Sequence, residues 1–474
     1  MRELRQLDKD LDRLSNAESA GLHAARRILR PGALLILCTL AAVALTQVLG
    51  IGAAPGLVAA GVVTAGVLAL SIGANDMANS LAPAVGAGAL PMGAGLAAAA
   101  LMEIGGVLLA SGRVSDRLAL GILAPGEMLA GTGAAPLVML AAMLAATVWI
   151  MLATWAGAPV STTHAIVGGI AGAGLAVFGP AAVNWPGVAT IALGWVGTPV
   201  AAGLLAASVL ALIRARVHRA PDRIAAALRW LPRMLATMAV LMVLYAAALL
   251  PHPPGPVPLS LAAGAAGASS LWGARRWALR RIAAGGAEKE ILVRVFGLPL
   301  AASALLMAFG HGANDAGNVV APLAVIVQSG AEWGPELTLA PGFLLTVGGG
   351  IALGAVLFGR GLVHMVGSRI TRLSPVRALC VSLATAFTVL VASRLGLPVS
   401  TTHIAVGGVF GVGFYREWEE HRFRLRRDRA PLPIEERRRR MLVRRGHVWR
   451  TLAAWTLTVP LVAMLAGGLA LLIS

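Results

Sequence analysis

The chain has 474 residues, of which 58% are hydrophobic and only 13% are charged. A soluble domain carries roughly 25% charged residues, so this composition excludes disordered, collagen-like and disulfide-stapled secreted proteins and favours a membrane protein. Lys and Arg exceed Asp and Glu by 39 − 21 = 18. The two cysteines, Cys38 and Cys380, lie in apolar runs, so we expect neither a disulfide framework nor a metal cluster.

The basic residues are concentrated in four segments, 1–31, 214–233, 275–294 and 416–450. The positive-inside rule predicts that all four face the cytoplasm. The last segment contains Arg437–Arg440, but its glutamates and few aromatic residues indicate a mixed helical surface, so we expect no nucleic-acid partner. We predict a cytoplasmic N-terminal segment over 1–31 and a retained transmembrane helix within 32–53.

Two motifs occur twice at one offset. Gly73–Asp76 recurs as Gly312–Asp315 and Pro159–His164 recurs as Pro398–His403, and both offsets are 312 − 73 = 398 − 159 = 239 residues. An internal duplication explains this spacing. We predict one repeat over 54–213, basic loops and a central helical hairpin over 214–290, and a second repeat over 291–473 that contains the cytoplasmic basic loop.

The loops of the two repeats differ in charge. The basic loop 416–450 aligns with an uncharged loop near 180–186, which predicts that the two loops lie on opposite sides of the membrane. The repeats should then be inverted relative to each other, as in many secondary transporters. We therefore predict an all-α polytopic membrane protein with inverted-topology repeats, broken helices, re-entrant half-helices and about 12 spans.

Both copies of the first motif place an acid in an apolar stretch, as Asn75–Asp76 and Asn314–Asp315. An aspartate at membrane depth costs about 3 kcal/mol, and the glycines before it and the prolines after it, Pro83 and Pro322, predict a helix that is interrupted midway. Carboxylate, amide and carbonyl oxygens suit a hard cation. The alternative is an aspartate that caps a helix in a loop, and the duplication favours the cation site.

The second motif predicts the N-terminus of a helix, because a proline is followed by capping hydroxyls and then by an apolar, glycine-rich run. Such a terminus receives anions through unpaired N–H groups and the helix dipole. The alternative for Ser161 and Ser400 is plain capping. The candidate anion ligands of the two copies are Ser161, Thr162, Thr163, Ser400, Thr401 and Thr402.

Four further ionisable positions have to be weighed. His164 and His403 fit either a proton relay or a structural hydrogen bond, and we favour the structural role. His311 has Ile72 as its counterpart, so it cannot belong to a symmetric mechanism. Glu103 is a lone acid in the apolar stretch 96–110 and is a functional candidate, with a buried structural glutamate as the alternative.

Together these motifs resemble the PiT family of inorganic phosphate transporters. The resemblance is carried by Gly73–Asn79, Gly312–Asn318 and both Pro-Val-Ser-Thr-Thr-His blocks, and it covers residues 55 to 473 apart from the hairpin and the charged loops. It implies a bundle of inverted repeats in the inner cell membrane that imports inorganic phosphate with Na+ or H+. It also implies contact with membrane lipids and a possible homodimer.

The resemblance also implies roles for individual residues. Asp76 and Asp315, with Asn75 and Asn314, would hold the coupling cations and through them phosphate, while the serines and threonines of both blocks would contact phosphate directly. Glu103 matches an acid that the family places after its first Asn-Asp motif, which makes it a cation-ligand candidate. This chain has Ser382 where many members carry a second acid, which puts the number of cations in doubt.

Charge balance predicts coupled transport. Phosphate carries about −1 to −2 near neutral pH, the two aspartates add to this, and no Lys or Arg lies in either motif. Bound Na+ or protons must supply the difference, so we expect a symporter that is not an enzyme and has no cofactor. The alternatives are a sulfate symporter of the same fold and, more remotely, an intramembrane hydrolase that uses Ser161 or Ser400 with a histidine.

Overall fold

A computed structural model describes most of the chain. The described residues are 53–124, 134–155, 160–328, 341–367, 373–425 and 445–473. Segment 1–31, all but the last residue of the helix predicted within 32–53, and the arginine run 437–440 lie outside them.

The first part of the described chain forms six helices. They are α1 (Ala53–Gly86), α2 (Met92–Ala110), α3 (Gly112–Leu120), α4 (Ala134–Trp155), α5 (Thr162–Phe178) and α6 (Trp185–Ile213). A 3-10 turn at Pro180–Ala182 precedes α6, and a π-helical turn at Arg214–His218 extends it. An isolated antiparallel bridge joins Leu123 to Val183.

A helical pair separates this part from the rest of the chain. The pair is α7 (Arg223–Leu249) and α8 (Pro256–Ala283), which pack against each other. The remaining helices are α9 (Glu288–Asp315), α10 (Gly317–Val327), α11 (Pro341–Met365), α12 (Pro375–Arg394), α13 (Thr401–Leu425) and α14 (Arg445–Ile473).

Many of the described helices have the length and composition of a membrane span. Within the described residues, nine helical stretches are long and apolar enough to cross a membrane. Helix α5 has 17 residues, which at 1.5 Å per residue is shorter than the roughly 30 Å hydrocarbon core. The all-α membrane architecture is confirmed, whereas the total of about 12 spans stays a prediction.

The helices of the two predicted repeats pack in exchanged pairs. Helix α1 packs on α11 while α9 packs on α2, and α5 packs on α14 while α13 packs on α6. Glycines allow the first two crossings, because a Cβ on Gly73 would overlap the backbone of Ile351 and a Cβ on Gly312 would overlap the backbone of Glu103. Two equivalent halves would produce this exchange, and the boundaries 54–213 and 291–473 stay predictions.

The two Asn-Asp motifs lie in helices of different continuity. The second Asn-Asp motif ends α9, and α10 begins after Ala316. This is a slight interruption, because Ala316 keeps helical dihedral angles (φ −58°, ψ −31°) and Glu288–Val327 forms one apolar stretch of 40 residues. The helix that contains the first Asn-Asp motif is not interrupted, because α1 continues through Asp76 to Gly86. Pro83 removes only its own bond to the Asn79 carbonyl, and Gly73 serves close helix packing rather than a break.

The segment predicted as a basic loop over 416–450 is partly helical. Helix α13 extends to Leu425, and α14 begins at Arg445. The charged residues at the start of the segment belong to a continuous helix, in which Glu419 pairs with Arg214 and, at 2.8 Å, with Arg219 of the turn after α6. These ion pairs join the charged end of α13 to the end of α6 and the turn that follows it.

Candidate functional site

Four elements meet at one buried site. Helices α1 and α9 supply Asp76 and Asp315, which are 2% and 1% exposed. The N-termini of α5 and α13 supply the hydroxyl groups. Oxygen atoms of both aspartates and a ring nitrogen of His311 all lie within 4.8 Å of one another. The structure therefore brings together two acids that are 239 residues apart in the chain.

Asp76 accepts hydrogen bonds from amides and hydroxyls. Its Oδ1 accepts from the side-chain amides of Asn75 and Asn79 and from the hydroxyl of Thr402, each at 3.3 Å. Its Oδ2 is 3.5 Å from the hydroxyl of Thr162. One carboxylate is thus contacted by the N-terminal turns of both α5 and α13.

Asp315 has a different set of partners. Its Oδ2 accepts from the hydroxyl of Thr401 at 3.2 Å and lies 3.0 Å from Nε2 of His311. Its Oδ1 is buried and has no hydrogen-bond partner among the described residues. An acidic oxygen that is buried in this way fits a cation as its ligand, because hard cations are bound by oxygen atoms.

Two asparagines that the motifs did not assign to the site belong to it. Asn79 donates to the hydroxyl of Thr402 at 2.8 Å, and Asn318 donates to the hydroxyl of Thr163 at 3.3 Å. Thr163 in turn donates to the carbonyl of Val399 at 3.0 Å. Their duplication at the offset 318 − 79 = 239 was the signal in the sequence.

The serines of both motifs cap their helices. Ser161 Oγ accepts from the backbone N–H of His164 at 3.2 Å, and Ser400 Oγ accepts from that of His403 at 3.4 Å. Capping and anion binding are compatible, since a cap satisfies one of the four free N–H groups of a helix N-terminus. Both termini face the acids through the threonines that follow the serines.

Asn75 and Asn314, the asparagines of the two Asn-Asp motifs, make different hydrogen bonds. Asn314 donates to Ser393 Oγ and to the Leu397 carbonyl, both at 3.1 Å, and its Oδ1 accepts from the N–H of Val399 at 3.1 Å. It therefore fixes the turn before α13, and one lone pair of its amide oxygen is left for a cation. Asn75 donates to Asp76 and keeps its amide oxygen available.

Glu103 reaches the site through a histidine. Both Glu103 on α2 and His311 on α9 are fully buried, and Oε1 of Glu103 lies 2.5 Å from Nδ1 of His311. The sequence predicted Glu103 as a cation ligand, and in the structure it contacts the ring that contacts Asp315. His311 was set aside because its counterpart is Ile72, so the charge balance must now include this residue.

The rings of His164 and His403 pack against other rings. The His164 ring lies 3.8 Å from the ring of Trp195 and 4.6 Å from the ring of His403, measured between centroids. Ser161 and Ser400 are contacted by the backbone of these histidines. A serine hydrolase instead needs the ring of a histidine at the serine oxygen. The contacts of Ser161 and Ser400 with backbone N–H groups therefore do not support the hydrolase alternative.

Comparisons with known proteins agree on one family. The family model described as "Phosphate transporter family" matches residues 72–466. The chain is 39% identical over 371 residues to a Helicobacter pylori (strain J99 / ATCC 700824) protein named "Putative phosphate permease", covering 75% of this chain and 68% of that protein. It is 34% identical over 434 residues to "Inorganic phosphate transporter 2-1, chloroplastic" of Arabidopsis thaliana, covering 84% of this chain and 69% of that protein.

A solved structure has the same fold. It is titled "The sodium-dependent phosphate transporter" and superimposes with a TM-score of 0.78 at 30% sequence identity. The superposition covers 88% of this chain and 98% of that chain.

Proposed function

The chain belongs to the phosphate transporter family, and we propose that it imports phosphate with Na+ through the site between Asp76 and Asp315. It is a multi-pass membrane protein and a phosphate symporter, not an enzyme. One observation carries the assignment of the site. The two copies of the Asn-Asp motif supply buried acids whose oxygens lie within 4.8 Å of each other and of a ring nitrogen of His311.

The N-termini of α5 and α13 are the proposed phosphate ligands. Each offers free backbone N–H groups and the positive end of a helix dipole without a net charge. The hydroxyls and amides around them add donors to a tetrahedral oxyanion. These side chains are Ser161, Thr162, Thr163, Ser400, Thr401 and Thr402, with Asn79 and Asn318 beside them.

The aspartates are the proposed cation ligands. Asp76, Asp315 and Glu103 are buried. When ionised, they contribute three negative charges against at most one positive charge on His311, which leaves a net charge of −2 or −3 before phosphate enters. Burying such an excess is costly unless it is compensated. Phosphate adds a further charge of about −1 to −2, so binding of about three or more monovalent cations, Na+ and protons together, would bring the loaded site close to neutrality.

Sodium is the proposed coupling ion. The solved relative is sodium-dependent by its title, and carboxylate, amide and hydroxyl oxygens are ligands that suit a hard cation. The partnerless Oδ1 of Asp315 and the buried Oδ1 of Asn318, which also has no hydrogen-bond partner among the described residues, are the oxygens that we assign to Na+.

We further propose that the protein lies in the inner membrane. Its two repeats would have inverted topology and its N-terminus would face the cytoplasm. Arginines stack on tryptophans near the basic helix ends, with Arg233 over Trp230 and Arg281 over Trp277. Tryptophan at the interface and arginine on the cytoplasmic side are both typical of membrane proteins. The exchanged packing of the two halves supports the repeats.

Phosphate is favoured over sulfate by its proton. A hydrogen phosphate ion can donate a hydrogen bond to a carboxylate, whereas fully ionised sulfate cannot. Asp76 and Asp315 are the acceptors at the site. A site built to receive a donated hydrogen bond rejects an analogue that lacks the donor.

The test is phosphate accumulation in proteoliposomes with an imposed Na+ gradient and equal pH on both sides. We expect uptake of labelled phosphate with Na+ but not with K+, no competition from a tenfold excess of sulfate, and background uptake in Asp76→Asn and Asp315→Asn. Uptake that follows a pH gradient instead would overturn the assignment to Na+. Full activity of both asparagine variants would overturn the site.

A further inference from the structure

The two halves differ at one buried pair of positions. Helices α9 and α2 cross with Gly312 against the backbone of Glu103, and helices α1 and α11 cross with Gly73 against the backbone of Ile351. Because these crossings are equivalent, Ile351 is the counterpart of Glu103. Ile72 is likewise the counterpart of His311, at the offset 311 − 72 = 239.

All four residues of these two pairs are fully buried, at 0% exposure. One crossing therefore contains an acid and a histidine where the other contains two isoleucines. Burying polar groups costs free energy unless they are hydrogen-bonded. Since the isoleucine pair shows that the fold packs well at this position without polar groups, packing alone does not account for Glu103 and His311.

The polar pair makes its direct contact with Asp315, while Asp76 has an oxygen within 4.8 Å of the His311 ring. Oε1 of Glu103 lies 2.5 Å from Nδ1 of His311, and Nε2 of the same ring lies 3.0 Å from Oδ2 of Asp315. With one nitrogen against Glu103, the ring has a fixed orientation and presents the other nitrogen to Asp315. The residue four positions before Asp76 is Ile72, which offers no such contact.

We infer that His311, oriented by Glu103, is a positioning residue that makes the two aspartates unequal in cation binding. The inference rests on the proposed function. His311 holds one oxygen of Asp315 by a contact within the protein and leaves the other oxygen, Oδ1, for a cation. Within the described part of the chain, the hydrogen bonds to Asp76 come from amides and hydroxyls, so its direct positive partner comes from the coupling ions.

The mirror pair in the same chain supplies the substitution that tests this. Glu103→Ile with His311→Ile copies the Ile351–Ile72 crossing and removes the acid together with its basic partner. We expect this double variant to fold, because replacing a whole buried pair with apolar groups of similar size is tolerated far better than removing one partner. Each single variant leaves a buried polar group alone, and we expect folded yields about tenfold lower for both.

The readout is the Na+ dependence of phosphate uptake in proteoliposomes at fixed pH and fixed phosphate. Without His311, both oxygens of Asp315 depend on cations, so we expect the half-saturating Na+ concentration of the double variant to rise about fivefold or more. We expect the half-saturating phosphate concentration to change by less than about twofold, because the phosphate ligands are intact. Ile351→Val is the matched control and should leave both values unchanged.

Glu103→Gln serves as a second variant that keeps the packing. The amide still reaches His311 but holds the ring less firmly, so half-saturating Na+ should rise by an intermediate factor. A wild-type Na+ dependence in either Glu103→Gln or the double variant would mean that the pair is only structural and would overturn the inference. If the wild-type protein itself shows no Na+-driven phosphate uptake, the proposed function fails instead.

Discussion

At the scale of single residues, the equivalent threonines Thr163 and Thr402 have different hydrogen-bond partners. Thr402 donates to the carboxylate of Asp76 and accepts from Asn79, whereas Thr163 donates to the backbone carbonyl of Val399 and accepts from Asn318. A hydrogen bond to a charged group contributes more than one between neutral groups. The threonine that contacts the acid should therefore matter more for transport.

Thr402→Val and Thr163→Val test this difference with one isosteric change in each half. We expect Thr402→Val to lower phosphate uptake at subsaturating Na+ by about 10- to 100-fold and Thr163→Val by about 2- to 10-fold. Initial rates in proteoliposomes, normalised to folded protein, measure both. Equal losses would show that the contact with Asp76 is not the stronger one.

At the scale of helices, glycine determines how the two halves meet. Gly73 brings α1 onto the backbone of Ile351 in α11, and Gly312 brings α9 onto the backbone of Glu103 in α2. Small residues at helix crossings permit close backbone approach in membranes. The aspartates lie three residues beyond these glycines, so the same crossings set the distance between the acids.

Gly73→Ala and Gly312→Ala should therefore destabilise the protein. The added methyl group meets backbone, which cannot move aside as a side chain can, and we expect a cost of about 1–3 kcal/mol for each. Thermal unfolding in detergent measures it. Gly66→Ala in α1 is the control, because a Cβ there meets nothing within 4 Å, and it should be neutral or slightly stabilising.

At the scale of the whole molecule, charge is segregated along the helices. The turn between α7 and α8 contains the exposed His252 and no Lys or Arg, whereas the chain after α8 contains the exposed Lys289. Helix α8 has 28 residues and is about 42 Å long, enough to separate these two positions by the thickness of a membrane. The positive-inside rule then predicts which end lies in the cytoplasm.

Cysteine labelling in intact cells checks this orientation. In a background with Cys38→Ser and Cys380→Ser, we expect a membrane-impermeant maleimide to label His252→Cys from outside. Lys289→Cys should react only after the membrane is permeabilised. The opposite pattern would invert the proposed topology and with it the predicted cytoplasmic location of the basic segments.

The sequence by itself determined the class of the protein, the duplicated motifs and most of the candidate ligands. Composition and long apolar runs encode membrane helices locally, and proline followed by capping hydroxyls marks the starts of α5 and α13. An acid in an apolar stretch is conspicuous without any knowledge of its neighbours. The family resemblance of these motifs agrees with the family that the comparisons identify.

Only the tertiary structure decided which of these residues meet. The contacts of Glu103 with His311 and of Asp76 with Thr402 join positions 208 and 326 residues apart, and no local pattern specifies which faces of two distant helices will touch. The continuity of α1 through Asp76 likewise depends on packing, since Gly73 is required by the backbone of Ile351. The search for symmetric motifs set His311 aside, because its counterpart in the first half is Ile72. Its contacts with Glu103 and Asp315 occur where the two halves differ.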